Sequence, residues 1–541
     1  MRGPYPSGVV EQPFRVRGVV EGFYGTPWSH GARLELLPFL GAQGMNAYAY
    51  APKDDAKHRA RWREPYDARE MRRFEELVAC ATDAGVRFGF AVSPGLDIAY
   101  DSLEDRKALI GKLRAIADVG VDWFLLLLDD IPLRPDVARS QADLACGLLD
   151  ALRPDRPAVA VTVCPTEYVG TLASPYLTEL GRGLPVEVDV MWTGPTVCSP
   201  TITVADAQAR AAALGGRAPL IWDNYPVNDG TMAASLHLGP YRGREPGLEA
   251  VVAGVLCNPM VQPHASRIAL ATAGTFFADP AAYDPDTAWR DAVAMVDPAR
   301  AEHMMCLAVA CGDSALSDPS ELDLTRGVAL IGDEIGGPGW VVAVRALAER
   351  LRALRALPAV FAADGDALAA EVAPWATAAR VEANAGLAAL RLVQQIRPVA
   401  AVGDRRGRAV APDAERTMEH AFRTLFTWQA ARANTRSVCG PRFAIYPAVV
   451  QLADGRPGLD VGDALREGAN AVDGLCRLAL DAYAAWCHEP SSSVRVFVDG
   501  QERTVATDGT FDATGVTVLL RADTYETRVD GALPFRDRRL V

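Results

Sequence analysis

Two adjacent carboxylates, Asp129 and Asp130, end the apolar run in the segment WFLLLLDDI. Four consecutive leucines predict a buried strand, so we expect the pair where that strand emerges rather than in a surface turn. Two carboxyl groups this close do not ionise independently, and the pKa of one of them is expected to be raised. A protonated carboxyl beside a charged one suits general acid catalysis, which makes the two aspartates the candidate catalytic residues.

Their adjacency argues against an ordinary pair of nucleophile and acid. Side chains of neighbouring strand residues point to opposite faces, whereas a retaining glycosidase holds its two carboxyls about 5–5.5 Å apart across the sugar. Either the strand end twists and turns both inward, or the two residues have different roles. In the second case, the 2-acetamido oxygen of a sugar substrate attacks its own anomeric carbon. One aspartate then orients and polarises the acetamido N–H, and the other protonates the leaving oxygen.

Polar and aromatic residues also follow the other apolar runs of the N-terminal half. Active sites of β/α barrels lie at the strand ends, so substrate-binding residues are expected at these positions. They are residues 21–25, 52–55, 93–97, 164–168, 192–194, 222–224 with 228–229, and 258–259.

Eight short apolar segments alternate with amphipathic segments over the first 280 residues. Near-continuous apolar strands are typical of parallel sheets buried on both faces, so we predict an α/β fold, a (β/α)8 TIM barrel. An open doubly wound sheet is the alternative, although no glycine-rich phosphate loop follows the first strand. Capping-box spacings, Ser102 with Asp105 and Thr203 with Asp206, indicate two helix starts. Strands are predicted at 16–20, 47–51, 87–92, 123–128, 158–163, 186–191, 219–222 and 254–256, and helices at 70–84, 103–119, 137–152 and 204–214.

The rest of the chain differs in pattern. We predict a tail at 1–13, the catalytic barrel at 14–285, an α-helical domain at 286–489 and a small β-rich C-terminal region at 490–541. Helical spacing favours helices at 339–357, 374–396, 413–433 and 461–486, with a loop at 403–407. Alternating segments at 494–498, 516–520 and 525–529, two of them followed by Asp-Gly, are typical of hairpins.

The composition excludes several classes of function. The 541-residue chain has a net charge of −13 and repels phosphate backbones, so nucleic acid is not an expected partner. We see no 18-residue apolar stretch and no secretory signal, so neither membrane insertion nor export is expected. Seven histidines without HExxH or clustered spacing predict no metal, and the absence of a GxSxG motif argues against a serine nucleophile. The absence of Walker and dinucleotide motifs predicts no nucleotide cofactor. Ten scattered cysteines favour free thiols and a cytoplasmic location, while the oligomeric state stays open.

Several motifs together resemble a known family. The segments GVVEGFYGTPW, NAYAYAPKDDAKHRARWREPY, SPGLDI, LLLLDDI, CPTEY and MWTGP each fall at a predicted strand end. In this order they resemble glycoside hydrolase family 84, which contains bacterial β-N-acetylglucosaminidases and the protein O-GlcNAcases. The resemblance covers residues 15–285, and the helical segment after the barrel fits the layout of the family less specifically.

The resemblance implies an exo-acting, retaining β-N-acetylglucosaminidase that forms an oxazoline intermediate and needs no cofactor. Its substrate would be a glycan, glycoprotein or glycopeptide with terminal β-linked N-acetylglucosamine. Asp129 would hold and polarise the acetamido N–H, and Asp130 would act as general acid and then as base. The resemblance also implies that Tyr168 and Asn224 contact the acetamido group or the oxazoline, and that Trp222 forms a wall under the sugar. The implied partners of the sugar hydroxyls are the Gly22 carbonyl, Lys53, Asp229 and Asn258.

Structural interpretations of the binding candidates stay open: a tight turn for Gly22, an ion pair of Lys53 with Asp54 or Asp55, core packing for Tyr168 and Trp222, and turns at Asp229 and Asn258. Two further functions also stay open. An endo-acting, hyaluronidase-like enzyme would act on an acidic polymer, which matches an acidic chain poorly. A non-catalytic glycan-binding module would be free to lose the aspartate pair, which is intact. Thr26 and Gly230 depart from residues common in relatives, and both concern the rim of the pocket.

Overall fold

The computed structural model describes residues 13–312, 339–362, 365–400, 412–432 and 435–439, and short segments between 448 and 529. Among these residues, one compact unit ends at Ala301 and a second begins at Glu302. The predicted limits of the tail, the barrel, the helical domain and the C-terminal region stay predictions. No helix in the described part of the chain is long and apolar enough to cross a membrane.

The first unit contains eight strands: β1 (Val16–Glu21), β2 (Ala47–Tyr50), β3 (Arg87–Val92), β4 (Trp123–Leu127), β5 (Ala160–Cys164), β6 (Asp189–Trp192), β7 (Pro219–Asp223) and β8 (Gly254–Cys257). They form a closed barrel in sequential order, and all neighbouring pairs are parallel. The barrel closes where β1 pairs with β8, with Val16 opposite Gly254. The predicted (β/α)8 TIM barrel is therefore confirmed.

Helices alternate with these strands: α1 (His30–Ala42), α2 (Ala68–Asp83), α3 (Leu103–Asp118), α4 (Val137–Leu152), α5 (Pro175–Gly183), α6 (Val204–Ala213), α7 (Pro263–Ala278) and α8 (Pro285–Val296). The predicted capping box of Thr203 and Asp206 starts α6. Ser102 caps α3 by accepting the N–H of Asp105, but the carboxylate of Asp105 accepts from Arg63 instead of completing a box.

Buried strand residues divide into two hydrophobic clusters. In β4, Leu125 and Leu127 belong to an inner cluster that contains no helical residue. Leu126 and the following Leu128 belong to an outer cluster that includes residues of α1 to α7. Inward and outward positions alternate in this way along a barrel strand. The next residue, Asp129, therefore continues the inward series.

Two strands begin later than predicted. Residues 186–188 do not join the barrel, because their carbonyl groups are used elsewhere. Arg217 donates to the carbonyl oxygens of Pro185, Val186 and Val188 at 2.8–2.9 Å, and Val186 is 90% exposed. β5 begins after a turn in which the N–H of Val159 bonds back along the chain. At both starts, hydrogen bonds to backbone carbonyl groups outside the sheet thus prevail over the apolar pattern that predicted a longer strand.

The second unit has α9 (Ala301–Ala310), α10 (Trp340–Val360), α11 (Ala367–Ala400) and α12 (Pro412–Arg432) among its described residues. α11 begins seven residues before the predicted start, because Asp366 accepts the N–H of Ala369 at 2.9 Å and caps an earlier turn. Of the predicted helix 461–486, only 472–476 and 478–479 are described, and they are helical. The predicted loop 403–407 lies outside the described residues.

Three antiparallel hairpins are described near the C-terminus. The first pairs Ala448–Gln451 with Pro457–Asp460, inside the segment that was expected to be helical. The others pair Ser493–Val498 with Gln501–Ala506, and Val518–Leu520 with Thr527–Val529, where hairpins were predicted.

Candidate active site

One cavity of about 120 Å³ opens at the carboxyl ends of the barrel strands. All nine residues singled out from the sequence line it, and they come from the ends of β1, β2, β4, β5, β7 and β8. The nine are Gly22, Lys53, Asp129, Asp130, Tyr168, Trp222, Asn224, Asp229 and Asn258. The structure thus brings the whole candidate set together, while the role of each residue stays a prediction.

Asp129 is buried at the cavity and pairs with a cation from the β2 loop. The ammonium group of Lys53 donates to its Oδ2, and both side chains are less than a tenth exposed. Lys53 therefore pairs with Asp129 and not with Asp54 or Asp55. The other oxygen, Oδ1, is buried and has no hydrogen-bond partner among the described residues. An unpaired buried acceptor is costly, so this oxygen is suited to a donor on a ligand.

Asp130 reaches the same cavity through an unusual backbone conformation. Strand alternation alone would point it outward, away from Asp129. Its φ is +53°, in the left-handed region that an L-residue adopts at a cost of about 1–2 kcal/mol. The strand end therefore turns both carboxylates to one side, which was the first of the two arrangements considered for an adjacent pair.

Two tyrosine hydroxyls hold the carboxylate of Asp130. Tyr24 donates to Oδ2 at 2.7 Å, and Tyr168 donates to Oδ1 at 2.8 Å. Burial alone would raise the pKa of Asp130, but these hydroxyls and the charges of Lys53 and Arg59 bring that pKa below its ordinary value. Burial and the charge of Asp130 raise the pKa of both tyrosines, so they remain donors.

This electrostatic environment corrects one expectation. A raised pKa was expected for one of the two carboxyls, yet the pKa of Asp130, the proposed acid, is lowered. The hydroxyl donors and the charges of Lys53 and Arg59 together outweigh the effect of burial, while Lys53 also pairs with the neighbouring Asp129. The carboxylate form of Asp130 is therefore favoured.

An amide and indole network forms the opposite wall. The side-chain oxygen of Asn224 accepts from the indole of Trp222 at 3.0 Å and from the amide of Asn258 at 2.9 Å. Asn258 in turn accepts the backbone N–H of Gly22 at 3.2 Å. A Cβ on Gly22 would lie 2.2 Å from the Trp222 ring. Close approach to the indole, and not only a turn, therefore requires glycine here.

Asp229 is connected to the Asp130 side of the cavity through Tyr24. Its Oδ2 accepts the backbone N–H of Tyr24 at 2.7 Å, while the hydroxyl of the same tyrosine bonds to Asp130. Burial raises the pKa of Asp229, the Tyr24 N–H lowers it, and the charge of Asp130 adds to the increase. Tyr24 thus touches two carboxylates of the candidate site with different atoms.

The sequence interpretation missed Tyr24 and Arg59 as parts of the site. The guanidinium of Arg59 donates to the hydroxyl of Tyr24, which in turn donates to Asp130. The signal was available, since Tyr24 lies at the end of a strand like the candidates that were chosen. Five further lining residues were not among the nine candidates either: Cys164, Thr193, Val197, Cys198 and Val227.

Buried ion pairs stabilise the strand ends behind the cavity. Arg33 binds both oxygens of Glu21 at 2.7 and 2.8 Å, next to Gly22. Arg244 binds both oxygens of Asp223, between Trp222 and Asn224, and its Nε bond is 2.7 Å. Each bidentate pair fixes a strand end from which a lining residue projects. Among the described residues, no group of three or more His, Cys, Asp or Glu side chains is arranged to hold a metal ion.

The chain is similar to known proteins in sequence. A family model described as beta-N-acetylglucosaminidase matches residues 17–309. The protein O-GlcNAcase of Rattus norvegicus is 37% identical over 275 residues, which cover 48% of this chain and 30% of that protein. The chain thus spans less than a third of the length of this curated relative.

Solved structures also resemble this one. A mutant of the Thermobaculum terrenum O-GlcNAc hydrolase has a TM-score of 0.74 at 29% identity, and the match covers 87% of this chain and 95% of that chain. The protein CpGH84B has a TM-score of 0.71 at 27% identity, over 79% of this chain and 75% of that chain.

Proposed function

The chain belongs to the β-N-acetylglucosaminidase family, glycoside hydrolase family 84, and we propose that it removes terminal β-linked N-acetylglucosamine with retention of configuration. The observation that carries the proposal is the unequal environment of two adjacent aspartates that face one cavity. Asp129 keeps one buried oxygen without a partner among the described residues, and Asp130 is held through both oxygens by hydroxyl donors. This asymmetry suits two different roles better than a nucleophile and acid pair.

In the first step the acetamido oxygen of the substrate attacks the anomeric carbon, and the glycosidic C–O bond breaks. Oδ1 of Asp129 accepts the acetamido N–H, which increases the electron density on the attacking oxygen. Protonated Asp130 gives its proton to the leaving oxygen. The products are a protonated oxazoline, whose N–H stays hydrogen-bonded to Asp129, and the free aglycone alcohol.

In the second step the carboxylate of Asp130 takes a proton from water, which adds to the anomeric carbon of the oxazoline. The ring opens, the acetamido group is restored, and Asp130 is protonated again for the next cycle. Two inversions at one carbon give net retention. The lowered pKa of Asp130 supports this base role.

The remaining cavity residues bind the sugar in this proposal. Tyr168 and the second amide N–H of Asn224 contact the acetamido group, and Trp222 forms the wall beneath the ring. The assignments of Asn224 and Trp222 are supported by the hydrogen-bonded wall that joins these two residues with Asn258. The sugar hydroxyls bind to the Gly22 carbonyl, Lys53, Asp229 and Asn258, which line the same cavity.

The aglycone belongs to the proposal as well. The rat relative is a protein O-GlcNAcase, and a solved relative is an O-GlcNAc hydrolase. We therefore propose a glycoprotein or glycopeptide in which N-acetylglucosamine is attached to a hydroxyl side chain. Nine cysteines in the described residues are free thiols, which fits a reducing compartment such as the cytoplasm.

The decisive experiment measures hydrolysis of an aryl N-acetyl-β-glucosaminide with and without a thiazoline that mimics the oxazoline. We expect turnover, competitive inhibition by the thiazoline and a β-configured initial product by NMR. An aryl β-glucoside of the same leaving group should be cleaved far more slowly, because it lacks the acetamido oxygen. Equal cleavage of the glucoside would contradict substrate assistance. Absence of both turnover and inhibition would favour a glycan-binding module, and internal cleavage of hyaluronan would favour the endo-acting alternative.

A further inference from the structure

Arg59 is not among the residues that line the cavity, but its side chain contacts the lining residue Tyr24. Its Nη1 donates to the Tyr24 hydroxyl, and its guanidinium carbon lies 5.4 Å from the centre of the Tyr24 ring. The Nε of Arg59 is buried and has no hydrogen-bond partner in the described part of the chain. Among the described residues, the side chain therefore bonds to one tyrosine rather than forming an ion pair with a neighbouring acid.

This contact fixes the direction of the hydrogen bond between Tyr24 and Asp130. An arginine side chain can only donate, so the Tyr24 oxygen is the acceptor on that side. The single hydroxyl proton of Tyr24 must then point at Oδ2 of Asp130, 2.7 Å away. The hydroxyl of Tyr168, by contrast, contacts Oδ1 of Asp130 without an arginine on its oxygen, and it can turn to accept.

We propose that Arg59 is a positioning residue that, through Tyr24, reserves Oδ2 of Asp130 as a hydrogen-bond acceptor, so that the proton given to the leaving oxygen is carried on Oδ1. The inference rests on the proposed function. When Asp130 is protonated on Oδ1, the hydroxyl of Tyr168 rotates and no longer donates to it. Tyr24 keeps its donor bond to Oδ2 in both protonation states.

The same geometry sets the pH dependence of the acid. The groups that face Asp130 are Asp129 beside it, Tyr24 from the β1 loop, Lys53 and Arg59 from the β2 loop, Cys164 and Tyr168 from β5 and its loop, and Asp229 from the β7 loop. Removal of the charge of Arg59 and of the fixed donor takes away two influences that lower the pKa of Asp130. Protonated Asp130 would then persist to higher pH.

The test compares pH profiles of kcat/KM for a methyl N-acetyl-β-glucosaminide, whose leaving group needs a proton, and a 2,4-dinitrophenyl one, whose leaving group does not. Arg59→Met should move the alkaline limb of the methyl substrate upward by about one pH unit, comparable with shifts from loss of one nearby charge. The dinitrophenyl profile should stay within twofold of wild type. Arg59→Lys, which keeps a charged donor, should restore most of the wild-type limb.

Two controls separate positioning from general damage. Arg61→Met removes a charge two residues away that pairs with exposed Glu64, and its profiles should match wild type. In a Tyr24→Phe background, Arg59→Met should shift the limb less than it does alone, because only the through-space charge of Arg59 then remains to be lost. If Arg59→Met fails to fold, the Tyr24→Phe variant alone tests the inference, since it too should move the alkaline limb of the methyl substrate upward.

An unchanged limb in Arg59→Met, equal losses on both substrates, or additive shifts in the double variant would overturn the inference and leave the proposed function intact. A wild-type protein that hydrolyses neither substrate would overturn the proposed function itself.

Discussion

The buried ion pair of Lys53 and Asp129 uses only one oxygen of the carboxylate and leaves the other without a partner among the described residues. We expect Asp129→Ala to reduce kcat on both activated and unactivated N-acetylglucosaminides by at least about 100-fold, because attack by the acetamido oxygen weakens regardless of the leaving group. Steady-state kinetics on the two substrates check this. Asp101→Ala, an exposed aspartate on the β3 loop, is the matched control and should keep wild-type rates. A loss confined to the unactivated substrate would contradict the assigned role.

Asp130→Ala should separate the two kinds of substrate. Leaving groups that need protonation should lose roughly 100- to 10,000-fold in kcat/KM, whereas a dinitrophenyl substrate should lose far less in its first step. Deglycosylation also needs Asp130 as base, so the oxazoline should accumulate and azide should compete with water as nucleophile. Formation of the glycosyl azide, followed by NMR, measures this. Equal losses on both substrates would count against the acid assignment.

Gly22→Ala should damage the wall of the cavity. The added methyl group would lie 2.2 Å from the Trp222 ring, so the indole must move and its bond to Asn224 must stretch or break. We expect a fall in kcat/KM of at least about tenfold, consistent with misplacement of binding groups by an ångström. Gly111→Ala in α3, where nothing lies within 4 Å of the new Cβ, is the control. It should keep activity and stabilise the helix by about 0.5–1 kcal/mol.

Glu21→Gln should destabilise the protein. Glu21 is fully buried and accepts two bonds from Arg33 and one from the Tyr48 hydroxyl, so a neutral amide leaves a buried guanidinium without its counter-charge. Breaking such a pair costs about 3–5 kcal/mol, whereas an exposed pair contributes at most about 1 kcal/mol. Glu35→Gln, which disrupts an exposed pair with Arg267, is therefore the control. Urea unfolding of both variants tests the difference, and similar midpoints would refute it.

His58 should make the fold sensitive to acid. The side chain is fully buried beside Lys53, and burial lowers the pKa of His58 to about 4. An unfolded chain binds this proton near pH 6.5 and the folded chain only near pH 4, so stability is complete above pH 6.5 and falls as the pH drops toward 4. The loss amounts to about 3 kcal/mol over that interval. His58→Asn keeps a donor for the carbonyl of Ala91 and should flatten the dependence of the thermal midpoint on pH.

Exposed His303→Asn provides the comparison for that measurement. Its profile should follow wild type, because this side chain is exposed and is not part of the buried core. If His58→Asn loses stability between pH 6.5 and 4 as steeply as wild type, His58 is not the group responsible.

The barrel and the membership of the site were readable from the sequence for one reason. Apolar runs identify buried strands, and a residue directly after such a run must lie at the active-site end of a barrel. Lys53 and Asn258 were found in this way although they are 205 positions apart and on different strands. Details that depend on the backbone were not readable. The φ of Asp130 decides where that carboxylate points, and nothing in LLLLDDI encodes it.

The electrostatic environment of the two aspartates was also not readable from the sequence. The sequence shows that Asp129 and Asp130 are neighbours, which by itself predicts repulsion and a raised pKa. It does not show that Lys53 and two tyrosine hydroxyls converge on them from other loops. The late start of β6 has the same origin, since Arg217 captures the carbonyl groups of residues 185–188 from a distant position. Partners distant in sequence decided both cases.

Pairing of β1 with β8 also has a consequence for biosynthesis. Strand β1 has no second neighbouring strand until Cys257 has left the ribosome. At 5–20 residues per second, synthesis up to that residue takes roughly 10 to 50 s. During that interval an unpaired edge of β1 is exposed on the nascent chain. Gly22 and Asn258, which bond across this seam, meet only at closure. Catalytic competence is therefore acquired late in translation of the barrel, and chaperone capture is most useful before that moment.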